Sequence, residues 1–354
     1  YRLVIRVLIA AAVAMVVSLL GTHFLIRSLT RYRIGQPIRD DGPEGHNIKA
    51  GTPTMGGLAI VSGAVLGYIV SDFYNGIYTT SGILVMLAIV GGGAVGLLDD
   101  WIKVVRERNL GLNKRAKMVG LLAVGLTFAV LMIEHTPTHS VVSFARFDQP
   151  GIRIGSVLWV VWAVLLIVGS SNAVNLTDGL DGLAAGAGVF TFGAFTVVAF
   201  WQFRLPEIYE IRHALDLAVV AAAMAGGCLG FLWWNAAPAR IFMGDTGSLA
   251  IGSGLAALAL ATSTTLLLPI VAGLFVFETV SVMIQVIGFR MFGRRRVFRM
   301  APIHHHFELK GWPETTVIVR FWILSGMCTA AGLGLFYADS INAGLIDILG
   351  ASRP

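Results

Sequence analysis

The sequence predicts an all-α polytopic integral membrane protein of about ten transmembrane helices. Three observations carry this: the composition, the lengths of the apolar runs and the placement of the basic residues. Hydrophobic residues make up 56% of the 354-residue chain and charged residues 13%, against about 25% charged in a soluble domain. Far more polar surface would be needed to dissolve a chain of this length. The apolar residues come in runs of roughly 17–25, the length of a helix that crosses the hydrocarbon core. The two-residue alternation of a membrane β-barrel is missing, so the spans are helical.

Ten spans are expected, at about 3–26, 55–74, 80–98, 118–133, 154–172, 183–201, 214–235, 246–264, 267–290 and 319–340. The fourth is short and the eighth glycine-rich. Pro269, near the start of the ninth, predicts a kink or break. The first run is too long for a signal-peptide core and lacks a cleavage site, so it is read as a retained span; with Tyr1 in place of Met, further residues are expected before it. Pairs such as Gly92 and Gly96 are expected to serve ordinary helix packing. Cys228 and Cys328 both fall inside spans, which leaves no disulfide framework and no thiolate metal site. No soluble domain, long linker or clean internal repeat interrupts the pattern, so residues 1–354 read as one transmembrane domain. The lack of a repeat argues against an inverted-repeat transporter.

Charge orients the spans. The loops after the odd-numbered spans hold 19 of the 26 basic residues, among them Arg27, Arg31, Lys49, Lys103, Lys117, Arg240 and Arg294 to Arg296. The positive-inside rule places these loops in the cytoplasm, and an even number of spans then puts both termini on the periplasmic side. The net charge of +6 is thereby a topology signal, and no nucleic-acid partner is expected.

With this orientation the cytoplasmic ends collect Asp40, Asp41, Asp99, Asp100, Asp178, Asp181 and Asp245. Lys49-Ala50-Gly51-Thr52-Pro53-Thr54-Met55-Gly56-Gly57 offers a cation, hydroxyls and backbone N–H groups ahead of the second span. That suits a phosphate or diphosphate, although a plain helix start with proline in its first turn would read the same. The pair Asp99-Asp100 ends an apolar helix, where two carboxylates oppose the helix dipole and repel each other. Such a pair points to a cation or to proton chemistry, unless Lys103 and Arg106 merely neutralise a solvated end. Asn172, Asn175, Asp178, Gly179, Leu180 and Asp181 form a dense polar segment with no basic residue, more than an Asp-Gly turn needs. Asn235 precedes Phe242-Met243-Gly244-Asp245-Thr246-Gly247. There the accessible Asp245 suits a hydrated metal, doubling as an N-cap for the eighth helix, and Phe242 is placed to stack on a base. His304-His305-His306-Phe307-Glu308 follows the basic run. Consecutive histidines do not have zinc-site spacing, so phosphate contact or proton exchange is the better reading. Oxygen ligands without thiolates, next to Lys, Arg and His, suit Mg2+ and a diphosphate substrate. Glu278, inside the ninth span, is a functional candidate by default; it is read instead as an interhelical hydrogen bond, far in depth from the motifs.

These segments, from Lys49–Gly57 through Asp99-Asp100, Asn172–Gly182, Asn235 and Phe242–Gly247 to Pro302–Trp312, resemble the signature segments of the phospho-N-acetylmuramoyl-pentapeptide transferases. Those enzymes (MraY) belong to the polyprenyl-phosphate N-acetylhexosamine-1-phosphate transferase superfamily. The resemblance covers essentially the whole chain and is least clear between Val104 and Lys117; the His304-His305-His306-Phe307-Glu308 run is its most specific piece. It implies a Mg2+-dependent transfer of phospho-MurNAc-pentapeptide from UDP-MurNAc-pentapeptide to undecaprenyl phosphate, giving UMP and lipid I for peptidoglycan synthesis. It also implies a homodimer in the lipid bilayer of the bacterial inner membrane. By motif position Asp245 is the first metal ligand, with Asp99 and Asp100 beside it, and Asp99 deprotonates or orients the lipid phosphate. Asn175, Asp178, Gly179, Leu180, Asp181 and Phe242 match the nucleoside pocket, with Lys49 and Thr54 next to it. Asn172, Asn235 and Gly244 complete the polar site, and His304, with catalytic standing, His305 and His306 contact phosphate or the sugar-peptide. A direct displacement is favoured over a phospho-Asp intermediate. The competing readings are a transferase for UDP-GlcNAc and, more remotely, an ion-coupled transporter.

Overall fold

The computed structural model describes residues 2–31, 51–73, 78–106, 111–211, 213–291, 293 and 295–351. In chain order the elements are α1 (Arg2–Arg31), α2 (Gly57–Asp72), α3 (Thr80–Val105), α4 (Lys114–His135), β1 (Val141–Val142), β2 (Ile152–Arg153), α5 (Gly155–Thr177), α6 (Leu183–Arg204), α7 (Pro206–Tyr209), α8 (Ala214–Asn235), α9 (Gly244–Ala261), α10 (Leu268–Val271), α11 (Gly273–Met291), α12 (Ile303–Glu308) and α13 (Glu314–Ala351). Each predicted span overlaps helix among the described residues. Among the described residues, eight helices are long and apolar enough to cross a membrane: α1, α3, α4, α5, α6, α8, α11 and α13. Helix α2 has only 16 residues, and α9 is the glycine-rich segment. The ninth span is broken as Pro269 predicted, but the proline sits in the first turn of the four-residue α10 and the break falls at Ala272. Two features were not foreseen. Val141–Val142 pairs antiparallel with Ile152–Arg153 as a small hairpin between α4 and α5, and α12 is a separate helix carrying the three histidines.

Helix ends follow local chemistry. The Thr79 hydroxyl accepts the N–H of Gly82 at 3.1 Å to start α3, and Asn113 Oδ1 accepts that of Ala116 at 2.7 Å to start α4, each satisfying a donor that has no partner inside its helix. The bundle is layered about α8, most of which is buried, whereas α1, α4 and α11 are buried along only a minor part and turn apolar faces outward. Small residues let the layers close. Gly63 and Gly67 of α2 lie against the backbone of α1 at Ala14 and Ala10, and Gly92 of α3 meets Leu249 and Ser253 of α9. Between helices in lipid, such van der Waals fit replaces a hydrophobic driving force.

At the end of the bundle where α1, α3 and α8 begin and α2 finishes, a buried ionic cluster ties the helices together. The Arg6 guanidinium pairs with Asp72 and lies 3.4 Å from Asp216 Oδ1. Asp216 Oδ2 also accepts from the Tyr68 hydroxyl at 2.8 Å, and from the Thr79 N–H and hydroxyl at 3.0 and 2.7 Å. Arg6, Asp72 and Asp216 are 4%, 7% and 2% exposed. Taking one partner out of such a cluster strands the remaining charge, at a cost of about 3–5 kcal/mol. Arg6→Met is therefore expected to lower the thermal unfolding midpoint of the detergent-solubilised protein by several degrees; an unchanged midpoint would show that the cluster contributes nothing to stability.

Candidate active site

The opposite end of α3 and the start of α9 meet at a buried acidic triad. Gly96 allows the approach: a Cβ there would lie 2.1 Å from the Asp245 carbonyl oxygen. Asp99, Asp100 and Asp245 are 3%, 1% and 9% exposed, and one carboxylate oxygen from each lies within 4.8 Å of the others. The three carboxylates have different work. Asp100 Oδ1 accepts the Asp245 N–H at 3.1 Å, while its Oδ2 accepts the N–H and hydroxyl of Thr246 at 2.9 and 2.7 Å. It thus caps α9 from a neighbouring helix, satisfying N–H groups that the first turn cannot and placing negative charge at the positive end of the dipole. Asp245, expected to serve partly as that N-cap, instead sits inside the first turn with its carboxylate free to project. Gly244 permits this entry, with φ +74° and space for a Cβ denied by Asp100 Oδ2 at 2.5 Å and Thr54 Oγ1 at 3.0 Å.

Asp245 is aimed by its neighbours. The Asn175 amide donates to its Oδ1 at 2.6 Å and to Ser248 Oγ at 2.9 Å. Lys103 Nζ lies 2.6 Å from Asp99 Oδ2, 3.6 Å from Asp100 Oδ1 and 2.9 Å from Asp245 Oδ2, while Lys117 Nζ is 2.7 Å from Asp245 Oδ2. Asp99 also accepts the Leu112 N–H at 2.8 Å, which holds the start of the next helix over the triad. Sequence reasoning had Lys103 as a neutralising charge, and its spacing of four and three residues from Asp99 and Asp100 signals one helix face. Lys117 carried no local signal, and Arg106 is not part of the cluster.

The segment Pro53–Gly57 is laced to the approach of α9: Phe242 N–H to Pro53 O at 2.8 Å, Gly56 N–H to Phe242 O at 2.9 Å and Gly57 N–H to Met243 O at 2.9 Å. Thr54 is consequently buried beside Gly244 and Asp100, and Phe242 is half-buried. Lys49 lies outside the described residues.

Three residues read as substrate contacts are engaged with the chain itself. The Asn172 amide donates to Val168 O of its own helix at 2.8 Å. Asn235 Nδ2 donates to Ile241 O at 2.9 Å, closing the turn that leads to α9, and leaves a buried Oδ1 without a hydrogen-bond partner among the described residues. Asp181 Oδ2 accepts the Ala239 N–H at 2.9 Å, bracing the same loop. Asp178, which follows the last residue of α5, has its carboxyl pushed up to about 8 by burial and by the negative charges of Asp245, Asp100 and Asp181. Its proton is thereby held up toward neutral pH.

The three histidines diverge, each to its own partner. His304 Nδ1 lies 3.1 Å from Glu278 Oε2, His305 Nδ1 is 2.7 Å from Glu308 Oε2, and His306 Nδ1 accepts the Arg299 N–H at 3.0 Å. Burial and the charges of Lys310 and Arg299 lower the basicity of His306. Glu278 is therefore not remote from the motifs: α12 packs back along α11 and brings the first histidine to it.

The all-oxygen triad fits a hard divalent cation, and the two ammonium groups inside it show that it demands positive charge. Residues 82–263 match the family model for glycosyl transferase family 4, and residues 49–61 match phospho-N-acetylmuramoyl-pentapeptide-transferase signature 1. The phospho-N-acetylmuramoyl-pentapeptide-transferase of Streptomyces griseus is 52% identical over 94% of this chain and 98% of its own length. That of Frankia alni is 52% identical over 96% and 99%, and that of Thermobifida fusca 51% identical over 94% and 98%. With identity above half along nearly the full length of both partners, the chain belongs to the phospho-N-acetylmuramoyl-pentapeptide-transferase family.

Proposed function

We propose that this chain transfers phospho-MurNAc-pentapeptide from UDP-MurNAc-pentapeptide to undecaprenyl phosphate, with release of UMP and formation of lipid I, at the cytoplasmic face of the bacterial inner membrane and as a homodimer. The observation that carries this beyond family membership is the single cluster in which three carboxylates and two lysines meet, at the end of the bundle that also holds the Asp178–Leu180 turn. Two anionic substrates must be brought together in line, so charge neutralisation and positioning dominate the barrier. The side of this cluster is also the one the basic loops mark as cytoplasmic, where a soluble nucleotide substrate arrives.

Asp245 and Asp99 would hold Mg2+, while Asp100 serves mainly by fixing α9. The ion would neutralise charge on the diphosphate. Lys103 and Lys117, mobile point charges on flexible stems, turn from the carboxylates toward the phosphate oxygens. Asp99 orients the lipid phosphate, one oxygen of which attacks the β-phosphorus as the bond to the UMP oxygen breaks. That phosphate is already largely ionised at neutral pH, so Asp99 need not act as a strict base. Phe242 offers an aromatic face to the uracil, and protonated Asp178 offers a donor to the nucleoside.

Incubating the purified protein with undecaprenyl phosphate, Mg2+ and either UDP-MurNAc-pentapeptide or UDP-GlcNAc is expected to release UMP only from the first; release only from UDP-GlcNAc would overturn the assignment. Asp245→Asn is expected to lower turnover by at least about 10³-fold, comparable to the loss of a principal electrostatic group, and near-normal turnover would remove Asp245 from the site. The Asp178 carboxyl holds its proton more tightly folded than unfolded. Its contribution to stability is complete below about pH 4 and is lost as pH rises through about 8, where a new negative charge also meets an anionic ligand. UMP affinity should fall as pH rises through 8 in the wild type and flatten in Asp178→Asn; an identical alkaline limb in both would exclude Asp178 as its origin.

A further inference from the structure

Glu278 stands on α11 with 0% exposure, and His304 on α12 is likewise 0% exposed. Glu278 Oε2 accepts the N–H of Ile303, the first residue of α12, at 3.1 Å. The same oxygen lies 3.1 Å from His304 Nδ1, a close polar contact short of a formed hydrogen bond. Glu278 Oε1 has no hydrogen-bond partner among the described residues. On the far side of the ring, His304 Nε2 is also unpartnered and presses on Gly179, where a Cβ would come within 2.4 Å of it. An unbroken line of contact thus runs from a membrane helix, through one imidazole, to the turn after α5.

A buried carboxylate with an idle oxygen is costly unless a neighbour compensates it, and the imidazole is the compensating group here. A carboxylate so near Nδ1 favours the tautomer with the ring proton on that nitrogen and leaves Nε2 as the acceptor. The opposite edge of the ring lies against Gly179, where a side chain would displace it. We propose that Glu278 is a positioning residue of the transferase: it fixes the plane and tautomer of His304, and the ring backs the Asp178–Gly179–Leu180 turn in the conformation that grips the nucleotide. This rests on the reading of that turn as part of the nucleoside pocket. Glu278 touches no substrate and acts only through the histidine.

The test uses the full chain in lipid–detergent micelles, with UMP as the probe for calorimetry and steady-state KM values for both substrates. Glu278→Gln is expected to weaken UMP binding about tenfold, roughly 1.4 kcal/mol, and to raise the KM of UDP-MurNAc-pentapeptide by a similar factor. The KM of undecaprenyl phosphate should not move, whereas a general structural lesion would raise both. His304→Gln should lose as much, and the double variant no more than the worse single, because the two residues act as one unit. Gly179→Ala, which displaces the ring from its other side, is expected to reproduce the nucleotide-only loss; should Glu278→Gln not fold, Glu278→Asp, which keeps the charge but withdraws it from Nδ1, is expected to show that loss in its place. Unchanged UMP affinity in Glu278→Gln and Gly179→Ala, additive losses, or parallel rises in both KM values would overturn the positioning role while leaving the pocket intact. A wild-type protein without affinity for UMP would overturn the pocket reading, and the positioning role with it.

Discussion

The contact on which the site end of this molecule depends is the Asp100 carboxylate seated on the first turn of α9. Both of its oxygens are committed, to two backbone N–H groups and one hydroxyl. A helix start buried inside a membrane protein has no water to satisfy those donors, and a carboxylate so buried has none to solvate its charge. Each solves the other's problem. Once the pair is made, Gly96 of α3 lies against the Asp245 carbonyl, Asp245 is carried to within reach of Asp99, and Asn175 and the two lysines find it. Substituting Asp100 would thus act first on the placement of α9 and only through it on the chemistry.

This division explains why the site was legible in outline but not in detail. Apolar run length is set by bilayer thickness, so the spans could be read directly, and polar residues at their ends stood out as candidates. Roles within the candidates are set by tertiary hydrogen bonds, which no local pattern encodes. Asp99 and Asp100 are adjacent in sequence yet about 100° apart around the helix, so one faces α9 and the other faces Lys103 and Leu112. Asn172, Asn235 and Asp181 looked equivalent to Asn175, but they satisfy backbone groups of their own helix or of the loop before α9. The two-residue strands of the hairpin are too short to leave a periodic signal.

Glu278 illustrates a further limit, the assumption that residues after a membrane helix stay at its end. Glu278 is 13 residues before the last residue of α11, about 20 Å along the axis at 1.5 Å per residue. The chain after the helix returns beside it: Gln285 Oε1 accepts the N–H groups of Val297 and Phe298 at 3.1 and 2.9 Å, and Glu278 then accepts that of Ile303. Two buried polar side chains thus act as rungs for the returning segment, and the histidine helix is delivered deep along α11 rather than left at its tip. Periodicity within either segment is unaffected by this pairing, which is why the sequence did not disclose it.

The two ends of the bundle use the same residue types to opposite effect, and the difference lies in the cation. At the far end Asp72 and Asp216 share Arg6, whose side chain is 5% exposed, and a planar guanidinium held between carboxylates has little freedom to leave. At the site end, three carboxylates face two lysines whose side chains are 17% and 19% exposed. An ammonium on a four-carbon stem can swing and re-pair at small cost. The first arrangement is rigid and holds helices together. The second is adjustable, which is what a site needs if it is to receive a cation and a diphosphate and to give up its lysines to the incoming phosphate oxygens.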